Sequence, residues 1–336
     1  MNRTRRAIVL TSVLAAALAA AGPAGASEPK LEVPQAKLKA SLHCYGDQKA
    51  PGKVPIMLVT GTGASGQEAY TIGKGAFEAY GSPVCTVDFP YYTTGDIHVA
   101  VQYLVYGIRQ QYRMAGNRKI GVFGISQGGL LPRVALTYWP SLRPMVSDVI
   151  AAAGTQHGTT AGGNEALSRC ENDGCIPAGW QQRAGSNLLK TLNSYRDETP
   201  GPTSWTTVRS SSDETVQPTT GPNPTSSLKG ATNILIQDVC PGRTVSHIGT
   251  AVDSVTFAAI RDAIENKGPA KVSRFANNVC DSLYAPGLDP AATGLLVGAA
   301  GGLTGGRNSG GNGGAPTVKA EPKVPAWAKK AARSRR

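Results

Sequence analysis

This 336-residue chain lacks net charge in its middle, a phosphate-cradling glycine signature, and an apolar run long enough to hold a bilayer. The formal charge of +12 is unevenly distributed. Three units lie at Arg3, Arg5 and Arg6, and a net seven lie from Gly301 onward. The body between is nearly neutral, which removes the electrostatic case for a nucleic-acid partner or an obligately anionic substrate. Gly61-Thr62-Gly63 follows an apolar stretch, but neither the third glycine of a dinucleotide site nor a Gly-Lys-Ser/Thr sequence comes after it. A nucleotide site is excluded on that ground. The uncharged run Ala7 to Ala21 falls short of the roughly 20 residues of a spanning helix. With three arginines before it and Ala24-Gly25-Ala26 after it, residues 1–26 read as a secretory signal peptide, cut after Ala26. Thr4-Arg5-Arg6 leaves the twin-arginine route open beside the general secretory one. The mature form then has no membrane span, and its length suits one large α/β domain.

Histidine is also scarce, with four in all, and cysteine is limited to six. In an exported chain, six cysteines indicate three disulfides, although six allow fifteen pairings. Cys170 and Cys175 enclose Glu-Asn-Asp-Gly, a turn sequence suited to a small local loop. Cys44, Cys85, Cys240 and Cys280 lie near expected strand ends and would pair among themselves.

The most informative stretch is Lys119 to Gly129. Ile120, Val122 and Phe123 form a short apolar run that breaks at Gly124-Ile125-Ser126-Gln127-Gly128. Apolar positions then resume at Leu130, Leu131, Val134, Ala135 and Tyr138, the spacing of a helix face. As a bare string, G-x-S-x-G means little in a chain with 41 glycines. Between a strand and a helix it marks a nucleophile elbow, with the serine on a sharp, strained turn. Pro132 lies deep for a helix-opening proline and predicts an irregular start to that helix.

Around this elbow the chain alternates. Strands are expected at Val54–Thr60, Ser82–Phe89, Asp148–Gly154, Thr203–Ser210 and Ile234–Gln237, with helices at 95–115 and 252–264. Strands alternating with helices give a mostly parallel sheet covered on both faces. Residues 27–53 look polar and superficial. The pattern is lost between Thr159 and Pro202, where a lid or pocket wall is expected. From Gly301 the chain is glycine-rich and then basic. This composition predicts a disordered tail over 301–336, leaving 27–300 as the catalytic domain.

A serine hydroxyl becomes a nucleophile when a histidine takes its proton and a carboxylate holds that histidine. In α/β-hydrolases the order is serine, acid, histidine. His43 and His98 precede Ser126, and His157 follows it with no strand between to present an acid. His247, after the last expected strand, is the base. Asp213 follows the strand at 203–210 in a small, polar turn and is the acid, with Glu214 and Asp238 as competitors. The oxyanion requires aimed donors. The Gln127 backbone N–H is one, and the turn at Thr62 supplies the other.

Pro55-Ile-Met-Leu-Val-Thr-Gly-Thr-Gly63, Ser126-Gln-Gly-Gly-Leu130 with Pro140-Ser-Leu-Arg143, Trp180–Ser186, Asp213-Glu-Thr-Val-Gln-Pro218 and the Cys240 to His247 spacing together resemble the lipase B group of α/β-hydrolases. The likeness runs from about residue 40 to 285 and preserves motif order. It implies an α/β-hydrolase fold and ester hydrolysis without metal or cofactor. It also implies Ser126, Asp213 and His247 as the triad, with Thr62 and Gln127 as the oxyanion hole and Ile125, Thr155 and Gln182 at the substrate pocket. Disulfides Cys44–Cys85 and Cys240–Cys280 are implied as well. Ile125 stands in place of the group's tryptophan before the serine, and Thr155 in place of an aspartate. The Cys170–Cys175 loop is extra, and the group's final cysteine pair is absent.

The expectation is therefore a secreted, monomeric serine lipase or carboxylesterase, acting on small or lipid esters, in some cases at a lipid–water interface. The same residues would serve an acyltransferase or a polyester hydrolase. The reading from another class is a non-catalytic envelope-binding protein on a hydrolase scaffold. In either case the basic tail is a candidate contact for an anionic envelope.

Overall fold

The structure is a computed structural model that describes residues 28–333, so the signal-peptide assignment lies outside the described residues. After α1 (Gln35–Ala40), strands β1 (Leu42–Tyr45) and β2 (Ile56–Val59) lead to α2 (Gly66–Tyr80) and β3 (Val84–Val87). Then follow α3 (Ile97–Met114), β4 (Ile120–Ile125), α4 (Gln127–Tyr138) and β5 (Val146–Ala152). Three short helices, α5 (Gly163–Asp173), α6 (Pro177–Gln181) and α7 (Asn187–Asn193), precede β6 (Ser204–Arg209) and β7 (Thr232–Leu235). The chain closes with α8 (Ile236–Val239), α9 (Ser254–Glu265), α10 (Pro290–Asn308) and α11 (Ala326–Arg333).

The seven strands form one sheet in the order β1-β3-β2-β4-β5-β6-β7, parallel throughout except for the β1–β3 edge pair. Every residue of β2, β3 and β4 is buried, as strands covered on both faces must be. Alternate side chains divide between two cores. Met57, Val59 and Val122 join Leu104, Leu131 and Trp139 of the α3–α4 layer. Ile56, Leu58 and Phe123 join Phe77, Phe257 and Ile260 of the α2–α9 layer. This is an α/β-hydrolase sheet, and it puts the β4–α4 turn at its centre.

Cys44–Cys85, Cys170–Cys175 and Cys240–Cys280 are bonded. The first joins residues directly opposite each other on β1 and β3. Three sequence expectations need correction. Residues 27–53 are not merely a polar cover, because α1 and the edge strand β1 lie there. Helix α4 runs without interruption through Pro132. The amide that proline lacks would have met the Gly128 carbonyl, and that carbonyl instead faces Gly124 of β4, where a Cβ would lie 1.9 Å from it.

The third correction concerns the tail. The stretch read as disordered from Gly301 is helical to Asn308, capped at its start by Asp289, and the chain then returns over the body. Val318 bridges Cys175, and its carbonyl accepts from Trp180 Nε1 at 2.9 Å. Glu321 accepts from the Asn187 and Leu188 amides that open α7. Trp327 packs 5.1 Å from the Trp139 ring and 5.2 Å from Tyr138. Average composition hides these few specific contacts, and they are what offset the ordering entropy.

Candidate active site

Ser126 sits between the fully buried β4 and α4 with φ 58° and ψ −125°, a backbone conformation that an L residue adopts only when its surroundings impose it. Those surroundings are backbone. The Ser126 amide donates to the Ala152 carbonyl at 2.9 Å, and its carbonyl accepts from Gly129 N at 2.8 Å. A Cβ on Gly128 would lie 2.1 Å from the Val59 carbonyl oxygen, so only glycine lets α4 start this close to β2. Gly61 packs against the serine itself, within 3.0 Å of its Cβ from an added methyl position.

All four histidines face a carboxylate: His43 with Asp88, His98 with Asp96, His157 with Glu198, and His247 with Asp213. Pairing alone therefore singles out none of them. What separates His247 is that it lines the cavity that Ser126 also lines. His247 Nδ1 lies 2.8 Å from Asp213 Oδ2, and Asp213 Oδ1 accepts from the amides of Thr215 and Val216, each at 2.8 Å. The carboxylate is thus fixed at both oxygens, and among the described residues Nε2 is the ring atom left without a hydrogen-bond partner. No hydrogen bond links the Ser126 hydroxyl to the His247 ring among the described residues. Resting hydrolase sites commonly hold this contact long until substrate arrives.

The competing carboxylates are placed elsewhere. Glu214 accepts from the His247 backbone amide at 3.0 Å, steadying the loop rather than the ring. Asp238 lies on α8, where its charge acts on Arg209.

Thr62 opens toward Gln127. Its hydroxyl donates to Gln127 Oε1 at 2.7 Å and accepts from Gln182 Nε2 at 2.9 Å. Gln182 also reaches Gln127 Oε1 at 3.0 Å, and its own Oε1 accepts from Thr155 Oγ1 at 3.0 Å. Thr62, Thr155 and Gln182 therefore form one polar chain with Gln127 at the floor of the cavity. The Gln127 N–H opens α4, where the first amides have no carbonyl of their own helix to bond.

The cavity measures about 720 Å³, and its lining includes Ile125, Thr155 and Gln182. Much of its remaining wall was not foreseen. Leu296, Ala300, Leu303 and Thr304 come from α10, and the last two lie inside the stretch from Gly301 whose composition pointed to disorder. The apolar pairs at Leu295-Leu296 and Leu303 carried a signal, but the intervening glycines masked it.

A strained serine on the central strand-to-helix turn, an apolar cavity over it, and a carboxylate-bound imidazole on a later loop define an α/β-hydrolase of the ester-cleaving kind. The chain is 32% identical over 310 residues to lipase B of Pseudozyma antarctica, spanning 89% of this chain and 88% of that one. It belongs to the lipase B family and is an ester hydrolase of the lipase and esterase type. Among solved structures, Aspergillus fumigatus lipase B superposes with a TM-score of 0.80 at 26% identity, covering 90% of this chain and 73% of its own. A Bacillus licheniformis lipase in its propeptide form shares the fold alone, at 17% identity and a TM-score of 0.51, over 68% of this chain and 54% of its own. No family model matches the sequence.

Proposed function

We propose that the protein hydrolyses carboxylic esters through an acyl-enzyme on Ser126. The observation that carries this reading is the 2.8 Å bond from His247 Nδ1 to Asp213, which leaves Nε2 to serve the cavity that Ser126 lines. Ser126 Oγ attacks the ester carbonyl while His247 Nε2 takes its proton. Asp213 holds the ring in the tautomer that accepts at Nε2 and stabilises the imidazolium. The carbonyl oxygen, now an oxyanion, is received by the Gln127 N–H, by the Thr62 N–H and by the Thr62 hydroxyl, whose one proton turns to it from Gln127 Oε1. Collapse expels the alcohol, which takes the proton from His247. Water then repeats the sequence and releases the acid.

The apolar walls suit an acyl chain, and the names of the relatives suit a lipid ester. Three disulfides in one chain fit an extracellular site of action, where such bonds persist. The mature polypeptide is proposed to work as a single domain that includes α10 and the returning C-terminal segment. Of the basic residues once counted as a free tail, Arg307 is buried and Lys319 is tied to the Asn172 carbonyl, so an envelope contact would have to use the others.

A fluorophosphonate tests the reading directly. Wild-type protein is expected to take one label at Ser126 and to lose ester turnover in step, and Ser126→Ala to take none. A folded wild type that neither labels nor turns over a short p-nitrophenyl ester would overturn it.

A further inference from the structure

Arg307 closes the last turn of α10 and is only 7% exposed, an unusual place for a guanidinium. Both terminal nitrogens of its fork are used, and its buried Nε has no partner among the described residues. Nη1 and Nη2 reach the two carboxylate oxygens of Glu68 at 2.8 and 2.9 Å, and Nη1 also donates to the Gly63 carbonyl at 2.9 Å. The plane lies 3.5 Å above the centre of the Tyr92 ring. Each partner is itself immobilised. Glu68 belongs to the capping box of α2, accepting from the Ser65 amide at 2.8 Å. Burial works to raise the Glu68 carboxyl, but the bonds from Arg307 and Ser65 outweigh it and hold the group below its ordinary range. Tyr92 sits in a run of three left-handed residues, Tyr91, Tyr92 and Thr93, with φ of 56°, 53° and 64°. Three such residues in succession are strained and persist only where other contacts over-determine them.

The point on which these contacts converge is Gly63, the residue after Thr62. Its amide donates to the Tyr92 carbonyl at 2.8 Å, while its own carbonyl is held by Arg307. Its φ is +84°, and a Cβ there would lie 2.9 Å from Thr304 and from Asn308 of α10. Both polar groups of one glycine are thus gripped from outside the turn, by α10 and by the strained loop before α3.

We propose that Arg307 is a positioning residue for the oxyanion turn: by gripping the Gly63 carbonyl it fixes the Thr62 donors over Ser126. This rests on the serine-hydrolase reading above. Arg307 shares this task with the bond from the Gly63 amide to Tyr92, while the Thr62 hydroxyl is itself bonded to Gln127 and Gln182. An anchor that merely fastened α10 to the body could have ended on Glu68 alone. The additional bond to a main-chain carbonyl one residue from the donor is what an anchor does not require.

The test compares Arg307→Met, Arg307→Lys and Thr62→Val with wild type. The rate of fluorophosphonate labelling and the kcat and KM for a water-soluble short ester are read well below the unfolding midpoint, and the midpoint is measured separately. Labelling passes through a charged phosphorus centre that draws on the same donors. Arg307→Met is expected to slow labelling and kcat about 10- to 100-fold, the scale of a small misplacement at a reacting centre. KM should stay within about twofold, since ground-state binding does not use the turn. Arg307→Lys should recover only part of the rate, because a point charge cannot serve Glu68 and Gly63 in fork geometry. Combined with Thr62→Val, the loss should be smaller than the product of the two single losses, because both act on one donor.

Unchanged labelling in Arg307→Met, a rise in KM at constant kcat, or fully multiplicative losses would overturn the proposal while leaving the triad intact. Should Arg307→Met fail to fold, Arg307→Lys and Glu68→Gln carry the same comparison. A wild type that takes no label at Ser126 would defeat the underlying reading instead, and this proposal with it.

Discussion

Asp148 lies on β5, and burial pushes its carboxyl up to about 6, offset only in part by the Ser147 hydroxyl, Lys119 and the Ser204 hydroxyl. A carboxyl raised above its free-chain value of 3.8 is one whose ionised form the fold disfavours. Its contribution to stability is therefore complete below that value and is lost as pH rises through about 6. Asp148→Asn is expected to raise stability at about pH 8 by on the order of 1–3 kcal/mol and to leave it nearly unchanged at about pH 4. Denaturant titrations at the two pH values check this, and an equal effect at both would contradict it. The residues that gather at the cavity were largely legible in the sequence. Ser126 and Thr62 sit just past the ends of strands, His247 lies in the loop after α8, and their order along the chain needs no knowledge of packing. Arg307 was not legible, because Gly63 lies 244 positions away from it and nothing local marks the pair. Asp213 could be preferred to Asp238 from turn chemistry, but Glu214 could be set aside only once its bond to a backbone amide was visible.

At the scale of elements, α10 stands out because six of its nineteen residues are glycine. Interior glycine costs a helix roughly 1 kcal/mol relative to alanine. The element is held by Asp289 at its start and by the Arg307 fork at its end, more than by its own propensity. Gly298 and Gly302 have open space where a Cβ would sit. Gly298→Ala with Gly302→Ala is expected to stabilise the protein by about 1–2 kcal/mol in total. A rise of a few degrees in the calorimetric midpoint would register it, and a fall would mean that α10 is not helical as described. Strands with largely buried, mostly apolar cores, β2 and β4 above all, could be read from the sequence because burial on both faces leaves a plain signature. The edge strand β1 could not, since all four of its residues are only half-buried and a polar composition looks like cover. The returning segment from Ala315 to Ala328 escaped for a related reason. Its order comes from one tryptophan, one glutamate and the one bridge between Val318 and Cys175 rather than from any periodic pattern.

For the whole molecule, the cavity rim and the outer surface meet on α10. Leu295 is 76% exposed and Leu303 is 49% exposed, beside Leu296, which lines the cavity. Apolar side chains clustered at the mouth of an ester-cleaving site are a contact for an oil surface. Leu295→Ser is expected to lower the rate on an emulsified ester severalfold while sparing a water-soluble one. Parallel assays on the two substrates decide it, and an equal loss on both would refute a surface role. The two sides of that mouth are held differently. On one, the Cys170–Cys175 loop is bonded to itself and again to Val318, and Trp180 is fastened to the same strand of chain. On the other stands a helix rich in glycine, held at its ends. The entrance thus resembles a vice with one fixed jaw and one that yields, and bulkier acyl or alcohol groups should find their extra width by displacing the middle of α10. A panel of esters graded by girth should then separate the alanine-stiffened form from the native one at the wide end of the series first.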